Sequence, residues 1–357
     1  MQDPRVTREE EQVRRPPPQR RTPVWTAPDD LVELMGPVSG NDLNGRGETY
    51  VRRPTVVMWS WTEDFQHRPM QELISRRHVE HPEVRKVLRF GDRDDHDPPA
   101  VAPVAERRTP DEWVAEIRAF ALEHPEWPVD DVGVARVRPE WVYEGHDVDE
   151  TWVVVLAVEM DHAELSTAPS WQAGAEVQRQ YNRGTYAARA LADWLRERGH
   201  RARGHGGPNA GPMLLVPAAI KAGLGELGKH GSMIHPRFGS RFRLASVLTD
   251  VPLVASVAAE FGADDFCWNC RVCLDACPPG AIFSTKQTVR GETKWYVDFD
   301  LCLPYFAETY SCGICLAVCP WSQPGEAERL VGTMARKRAR RQERTSTERN
   351  DTMGAAQ

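Results

Sequence analysis

Hydrophobic positions fall into a few strongly patterned stretches separated by polar, proline- and glycine-rich ones. Thr109-Pro110-Asp111-Glu112 spells a capping box with proline in the first turn, and Trp113, Ile117, Phe120 and Ala121 then recur at helical spacing and stop before Pro125. That pattern predicts a helix. The longest apolar run, Trp152 to Val158, has the length of a buried strand and falls far short of a bilayer span. From Ala175 to Arg198 the residues Val177, Tyr181, Ala188, Leu191 and Leu195 share one face of a long helix that ends at Gly199. Pro217 to Ala222 reads as another helix and Leu244 to Leu248 as a short strand. Helices and strands mixed in this irregular way predict an α+β core of about 210 residues followed by a small cysteine-rich module. The two cysteine runs apart, no internal repeat is visible.

Composition adjusts this picture at the ends. With 357 residues and 41% hydrophobic content the chain can build a real core, and a net charge of −7 argues against binding to DNA. Residues 1–28, rich in Arg, Glu, Gln and Pro, read as a disordered arm. Residues 326–357 carry Arg336-Lys337-Arg338 and Arg340-Arg341 and read as a basic helix and tail. The expected division is therefore a large core over 29–255 and a small cysteine-rich module over 256–325. Arg14-Arg15 and Arg20-Arg21 are followed by Pro16, Pro17 and Pro18 where an export signal needs an apolar stretch. With thiols that must stay reduced, this predicts a cytoplasmic protein without a membrane span.

The eight cysteines form two ferredoxin-type runs with none left over. Cys267-x2-Cys270-x2-Cys273-x3-Cys277-Pro278 is one; Cys302 followed by Cys312-x2-Cys315-x3-Cys319-Pro320 is the other, with its first gap lengthened. Short gaps let three thiolates wrap one 4Fe-4S cube, while the cysteine before proline reaches the other. The predicted assignment is Cys267, Cys270, Cys273 and Cys319 on one cluster and Cys302, Cys312, Cys315 and Cys277 on the second. Structural zinc does not call for runs that end in Cys-Pro, and disulfides do not fit a reducing compartment.

Gly223-Leu224-Gly225-Glu226-Leu227-Gly228 matches the dinucleotide fingerprint in letters, with Asp250 about 20 residues on. A helix precedes it where the fingerprint needs a strand, and Pro236 and Gly239 interrupt the stretch after it, where a helix is required. The alternative is a loop whose glycines let the backbone approach a large flat ligand.

Taken with Ile234-His235-Pro236-Arg237-Phe238-Gly239-Ser240-Arg241-Phe242-Arg243, Thr249-Asp250-Val251-Pro252-Leu253, Asp131-Val132-Gly133-Val134-Ala135, Trp141-Val142-Tyr143 and Thr167-Ala168-Pro169-Ser170, the stretch from Val216 resembles the cobalamin-dependent reductive dehalogenases. The resemblance covers roughly Val129 to Ser322. It implies a nitroreductase-like core that binds a base-off corrinoid, followed by a bacterial-ferredoxin-like double-cluster module. It also implies a catalytic tyrosine at Tyr181, an arginine at Arg243 and a polar residue near Asn209, where the local sequence carries an insertion. Gly223, Leu224, Gly225, Glu226, Gly228, His230 and His235 become candidate corrinoid contacts, with His205 nearby.

Chemistry supports the pairing, since a phenol of pKa near 10 is a poor proton donor unless a cation stabilises its phenolate. Read by pattern alone, Tyr181 belongs to the apolar stripe of its helix, Arg243 to a surface ion pair and Asn209 to a turn. Met58-Trp59-Ser60-Trp61 reads as core or pocket wall, and Asp94, Asp95, His96 and Asp97 as a solvated loop.

The implied activity is reductive dehalogenation of an organohalide, with electrons from a separate ferredoxin, flavodoxin or reductase. One alternative is an epoxyqueuosine-reductase-like enzyme of transfer RNA, which typically has an acidic residue in an Asp-x-Gly-Pro stretch where this chain reads Asn209-Ala210-Gly211-Pro212. The other is a non-catalytic iron–sulfur electron carrier, which needs only the last quarter of the sequence.

Overall fold

The computed structural model describes residues 22–60, 65–88, 96–208 and 211–354, with side chains as far as residue 343. At its centre lies an antiparallel sheet of β1 (Asp131–Arg136), β2 (Trp152–Glu159), β3 (Ala202–His205) and β6 (Phe242–Thr249), in the order β1-β2-β6-β3. Two-residue strands β4 (Glu226–Leu227) and β5 (Met233–Ile234) form a separate hairpin between β3 and β6.

β2 is apolar throughout because both of its faces are covered. Val154, Leu156 and Val158 pack with Trp113 and Ile117 of the helix Pro110–Leu122 and with Ala188 and Leu191 of the long helix Trp171–Glu197. Val153, Val155 and Ala157 pack on the other side with Met213, Leu215, Ala218 and Ala219. Alternation along a strand assigns each residue to its face, and full burial of each large aliphatic side chain contributes roughly 1.5–3 kcal/mol.

The helix Pro110–Leu122 begins as its sequence dictates. Thr109 Oγ1 accepts from Glu112 N, and Glu112 Oε2 accepts from Thr109 N at 2.7 Å. The long helix starts at Trp171, four residues before the expected Ala175, because tertiary contacts hold the first turn: Trp171 stacks on His81 with ring centroids 4.8 Å apart, and Ala173 and Gly174 are buried. At Gly184 the helix lies directly on the sheet. A Cβ there would stand 3.1 Å from Ala245 Cβ and 3.6 Å from Val158 Cγ2.

The N-terminal helices Asp29–Met35 and Arg68–Glu80 pack on the cysteine-rich region rather than on the sheet. Their Leu31, Met35, Met70 and Ile74 meet Leu303 and Ala307 of the helix Phe299–Glu308. Buried Asn41 ties the same two regions, donating to Asp298 Oδ1 at 2.9 Å and accepting from Phe299 N at 2.9 Å. Of the segment expected as an arm, residues 1–21 lie outside the described residues, and Val24 N donates to Pro278 O at 3.0 Å. The C-terminal helix Glu326–Gly354 buries Ala327, Leu330 and Met334 against Phe261 and Trp321. Among the described residues no helix is long and apolar enough to cross a membrane.

Candidate active site

A cavity of about 840 Å³ opens where the start of β6, the middle of the long helix and residues 211–216 meet. It lies toward the upper end of the range typical of ligand sites. Val56, Met58, Met213, Leu215, Met233 and Phe242 make much of its wall apolar, and Tyr181, Arg243, Arg203 and His205 bring polar groups into it.

The fold explains why Tyr181 and Arg243 meet. Along β6, Ala245 and Val247 face the long helix, so Arg243, in step with them and paired in register with Val158, starts from the same side. Tyr181 sits on that helix three residues before Gly184, where the helix lies directly on the sheet. The Arg243 guanidinium carbon lies 5.4 Å from the centre of the Tyr181 ring. Arg243 Nε is buried without a hydrogen-bond partner, and Arg243 makes no ion pair among the described residues. A guanidinium over the ring face makes a cation–π contact with Tyr181.

His205, the last residue of β3 and opposite Ser246, also lines the cavity. Its Nε2 is buried without a partner, and burial, reinforced by the charge of Arg203, pushes its pKa down to about 4. The ring is therefore neutral at neutral pH. Arg203 itself is held by buried Glu150 through two bonds of 2.6 and 2.7 Å. Asn209 lies outside the described residues, while its neighbours Gly207, Pro208, Gly211 and Pro212 line the cavity.

The glycine segment stands outside the cavity wall. Cβ atoms on Gly223 and Gly225 would lie 2.4 Å from Val257 O and 2.2 Å from Ile234 O, and one on Gly228 would meet the His230 ring at 2.6 Å. These glycines admit close approach of the protein's own backbone and side chains. Leu224 is buried in the core. Glu226 accepts from Phe261, Gly262 and Asp264 N–H, the last two at 2.7 and 2.8 Å, and so caps the helix Ala263–Asn269 that carries Cys267. The segment runs from the helix Leu215–Lys221 into β4, the reverse of the strand-then-helix order of a dinucleotide site.

The two histidines of this region are likewise engaged by protein. His230 Nδ1 accepts from Ser232 N, which leaves Nε2–H to donate to Ser240 Oγ at 2.9 Å, and Ser240 in turn hydrogen-bonds Cys319. Burial pushes His230 down to about 4. His235 Nδ1 accepts from Arg237 N, so its Nε2–H donates to Asp131 Oδ2 at 3.1 Å. Although burial opposes its ionisation, the bonds from His235 and Val132 N hold the Asp131 carboxyl well below the usual range. From this stretch it is Ser232 and Met233, at the turn of the hairpin, that reach the cavity.

All eight cysteines are thiols outside disulfides. Cys267 has Cys319, Cys273 and Cys270 as its electrostatic neighbours, while Cys302 has Cys312 and Cys277, and Cys315 has Cys312, Cys302 and Cys277. These neighbours bring Cys267, Cys270, Cys273 and Cys319 together, and likewise Cys302, Cys312, Cys315 and Cys277. Cys315 also senses Cys273, so the sets abut. Burial pushes Cys273 up to about 12 and Cys312 and Cys319 up to about 11, a cost of burying thiolates that iron offsets. Ser311 and Cys312 hold positive φ of 69° and 46°, a strained backbone at the second run. Among the described residues no group of His, Cys, Asp and Glu is arranged to hold a single metal ion.

Sequence reading missed Lys229, buried beside Cys267, and the Arg203–Glu150 pair, because neither has a local pattern. Met58, Trp59 and Ser60 line the cavity, and Trp61, Asp94 and Asp95 lie outside the described residues. His96 Nε2 bonds Asp193 Oδ2 at 2.8 Å.

Residues 266–322 match the 4Fe-4S dicluster domain family. The chain is 34% identical over 205 residues to a tetrachloroethene reductive dehalogenase of Desulfitobacterium hafniense, covering 54% of this chain and 36% of the relative. It is 33% identical over 140 residues to an epoxyqueuosine reductase of Synechococcus sp., covering 38% of this chain and 43% of that enzyme. Among solved structures, a catabolic reductive dehalogenase in complex with 3-bromo-4-hydroxybenzoic acid aligns with a TM-score of 0.60 at 25% identity, over 74% of this chain and 38% of the other. The chain is thus a relative of the reductive dehalogenases, shares their fold and carries a 4Fe-4S dicluster domain, and it spans little more than a third of the curated dehalogenase it matches.

Proposed function

We propose that this chain is a reductive dehalogenase unit that holds a base-off cobalamin and two 4Fe-4S clusters and converts the C–X bond of an organohalide to C–H with release of halide. The observation that carries the proposal is Tyr181 set against Arg243 on the wall of a large, mainly apolar cavity. The hairpin β4–β5 joins this cavity to the cysteines: Met233 lines it, while Ile234 packs among Cys267 and Cys319. We read residues 29–255 as a nitroreductase-like core and 256–325 as a ferredoxin-like module working in the reducing cytoplasm.

Both cofactors fit the residues present. Two sets of four thiols, buried or half-buried, suit two cubes, and a roomy apolar cavity with unpaired polar atoms at Arg243 Nε and His205 Nε2 suits a large ligand with hydrogen-bonding edges. Bound corrinoid supplies low-valent cobalt as the reductant of the carbon–halogen bond. The protein's residues do the rest. Tyr181 Oη delivers a proton to the carbon that loses halide, Arg243 stabilises the phenolate left behind, and the apolar wall keeps competing water away. Two electrons and one proton turn C–X into C–H and halide, and a ferredoxin, flavodoxin or reductase supplies the electrons singly through the clusters.

Halide release under a low-potential reductant tests this reading. Wild type releases halide from aliphatic or aromatic organohalides, and Tyr181→Phe, with clusters and cobalamin loaded, loses about 10²–10⁴-fold in turnover. Equal rates would make Tyr181 a core residue. No halide from wild type, with reduction of an epoxyqueuosine-containing RNA instead, would move the function to the transfer-RNA enzymes.

A further inference from the structure

Lys229 is 1% exposed and one of the largest fully buried side chains of the protein. Its backbone N–H points at Cys267 Sγ, 3.5 Å away. Its ammonium donates to Cys270 O at 2.8 Å and Trp268 O at 3.4 Å and lies 4.9 Å from the centre of the Trp295 ring. None of these partners is an anion, and Lys229 forms no ion pair among the described residues. Its neighbour Lys286, which faces the same two tryptophans, is paired with Asp264 at 2.9 Å. A buried ammonium without an anion is strongly unfavourable, so buried cations are found paired. The negative charges that favour its ammonium are the thiolates of Cys267, Cys270 and Cys273, with Arg271 opposing them, while Asp264, bonded to the same Trp295 ring, is already paired with Lys286.

The other set meets the opposite field. Asp298, which N-caps the helix carrying Cys302, is 7% exposed and is the charged neighbour of Cys302 after the thiols themselves. Its ion-pair partner Arg46 is 3.7 Å away with a side chain 39% exposed to water, which screens it. Hydrogen bonds to sulfur serve both sets, from Lys229 N to Cys267 at 3.5 Å and from Ser240 and backbone N–H groups to Cys319 in the first, and from Ala281 N to Cys277 at 3.3 Å and the Gly313 and Ile314 N–H groups to Cys312 in the second, so their presence alone does not set the two apart. Net charge does, and charge near a cluster sets its potential. A cluster gains negative charge on reduction, so a buried cation favours its reduced form and a buried carboxylate disfavours it.

We infer that Lys229 is the counter-charge of the cluster held by Cys267, Cys270, Cys273 and Cys319, and makes it the higher-potential member of the pair. An electron entering at the Cys302 set then comes to rest on the cluster packed against the cavity hairpin. Lys229 acts through the cluster and is a positioning residue for charge. This rests on the two-cluster reading, and the experiment separates the two.

Full-length protein is loaded anaerobically with iron and sulfide, and its reduction is followed by electron paramagnetic resonance against solution potential. Wild type shows two cluster midpoints. Lys229→Gln, which keeps an N–H donor but removes the charge, lowers the higher midpoint alone and narrows the gap, and Lys229→Arg restores it. A gap unchanged in Lys229→Gln, or equal movement of both midpoints, overturns the inference and leaves the two-cluster reading intact. A wild type with a single cluster overturns both. Should Lys229→Gln fail to load this set, full loading with the higher midpoint kept in Lys229→Arg supports the inference, and loss of the cluster in both variants overturns it in favour of packing.

Discussion

The segment from Gly223 to His235 and the wall holding Tyr181 and Arg243 are neighbours in the fold and opposites in what their polar groups touch. In the glycine segment Glu226 is met by three backbone N–H groups, His230 by Ser232 and Ser240, and His235 by Arg237 and Asp131. In the cavity wall Arg243 Nε and His205 Nε2 are buried with nothing to bond. Buried polar groups are almost always satisfied. A segment in which they are is holding the protein together, and a wall in which they are not is shaped for something that enters.

Substitutions therefore act on stability in one region and on ligand and turnover in the other. The largest expected effect is at Gly225, where a Cβ would lie 2.2 Å from Ile234 O, a backbone atom that cannot swing aside. Gly225→Ala loses about 3 kcal/mol or more, read by chemical denaturation, whereas Tyr181→Phe loses about 1 kcal/mol at most. A Gly225→Ala protein that folds normally but no longer retains corrinoid would break the comparison and return the loop to the binding surface.

Next in size is Glu226→Ala, which strands three N–H groups at the start of the helix carrying Cys267 and costs about 2–3 kcal/mol. Iron retained by the loaded protein should fall with it, and Glu226→Gln should lie between. Unchanged iron and stability would show that water replaces the carboxylate there.

The smallest effect sharpens the contrast from the cavity side. The pKa of His205 is about 4 in the folded protein against 6.5 for the free side chain, so as pH falls the unfolded chain takes up the proton first. The stability this confers is complete above about pH 6.5 and is lost as pH falls from there toward 4. Between pH 7 and pH 5, wild type should lose about 1–2 kcal/mol more than His205→Gln. Parallel pH curves for the two proteins would place the ring in water.

Much of this was legible in the chain. The capping box at Thr109 starts a helix at Pro110, and the apolar run of β2 ends within a residue of its expected limit, because local patterns dictate both. Cysteine spacing yields the two thiol sets, since short gaps leave few ways to wrap a cube. The approach of Tyr181 to Arg243 was drawn from resemblance, as no periodicity relates a helix residue to a strand residue so far along the chain. The N-terminal helices were invisible as partners of the helix Phe299–Glu308, since Leu31, Met35, Met70 and Ile74 are sparse among polar neighbours. Gly225 misleads because a glycine that admits a ligand and one that admits a carbonyl are written with the same letter.

β2 hydrogen-bonds β6 along their whole length, from Trp152 opposite Thr249 to Glu159 opposite Phe242, and everything between them is one closed loop. Tyr181 lies inside that loop and Arg243 at its closing end. Bringing distant strands together is slow, because chain entropy is lost before contacts repay it. When the whole chain refolds, Tyr181 and Arg243 therefore meet only on that closure, whereas the long helix between the two strands has local reasons to form first.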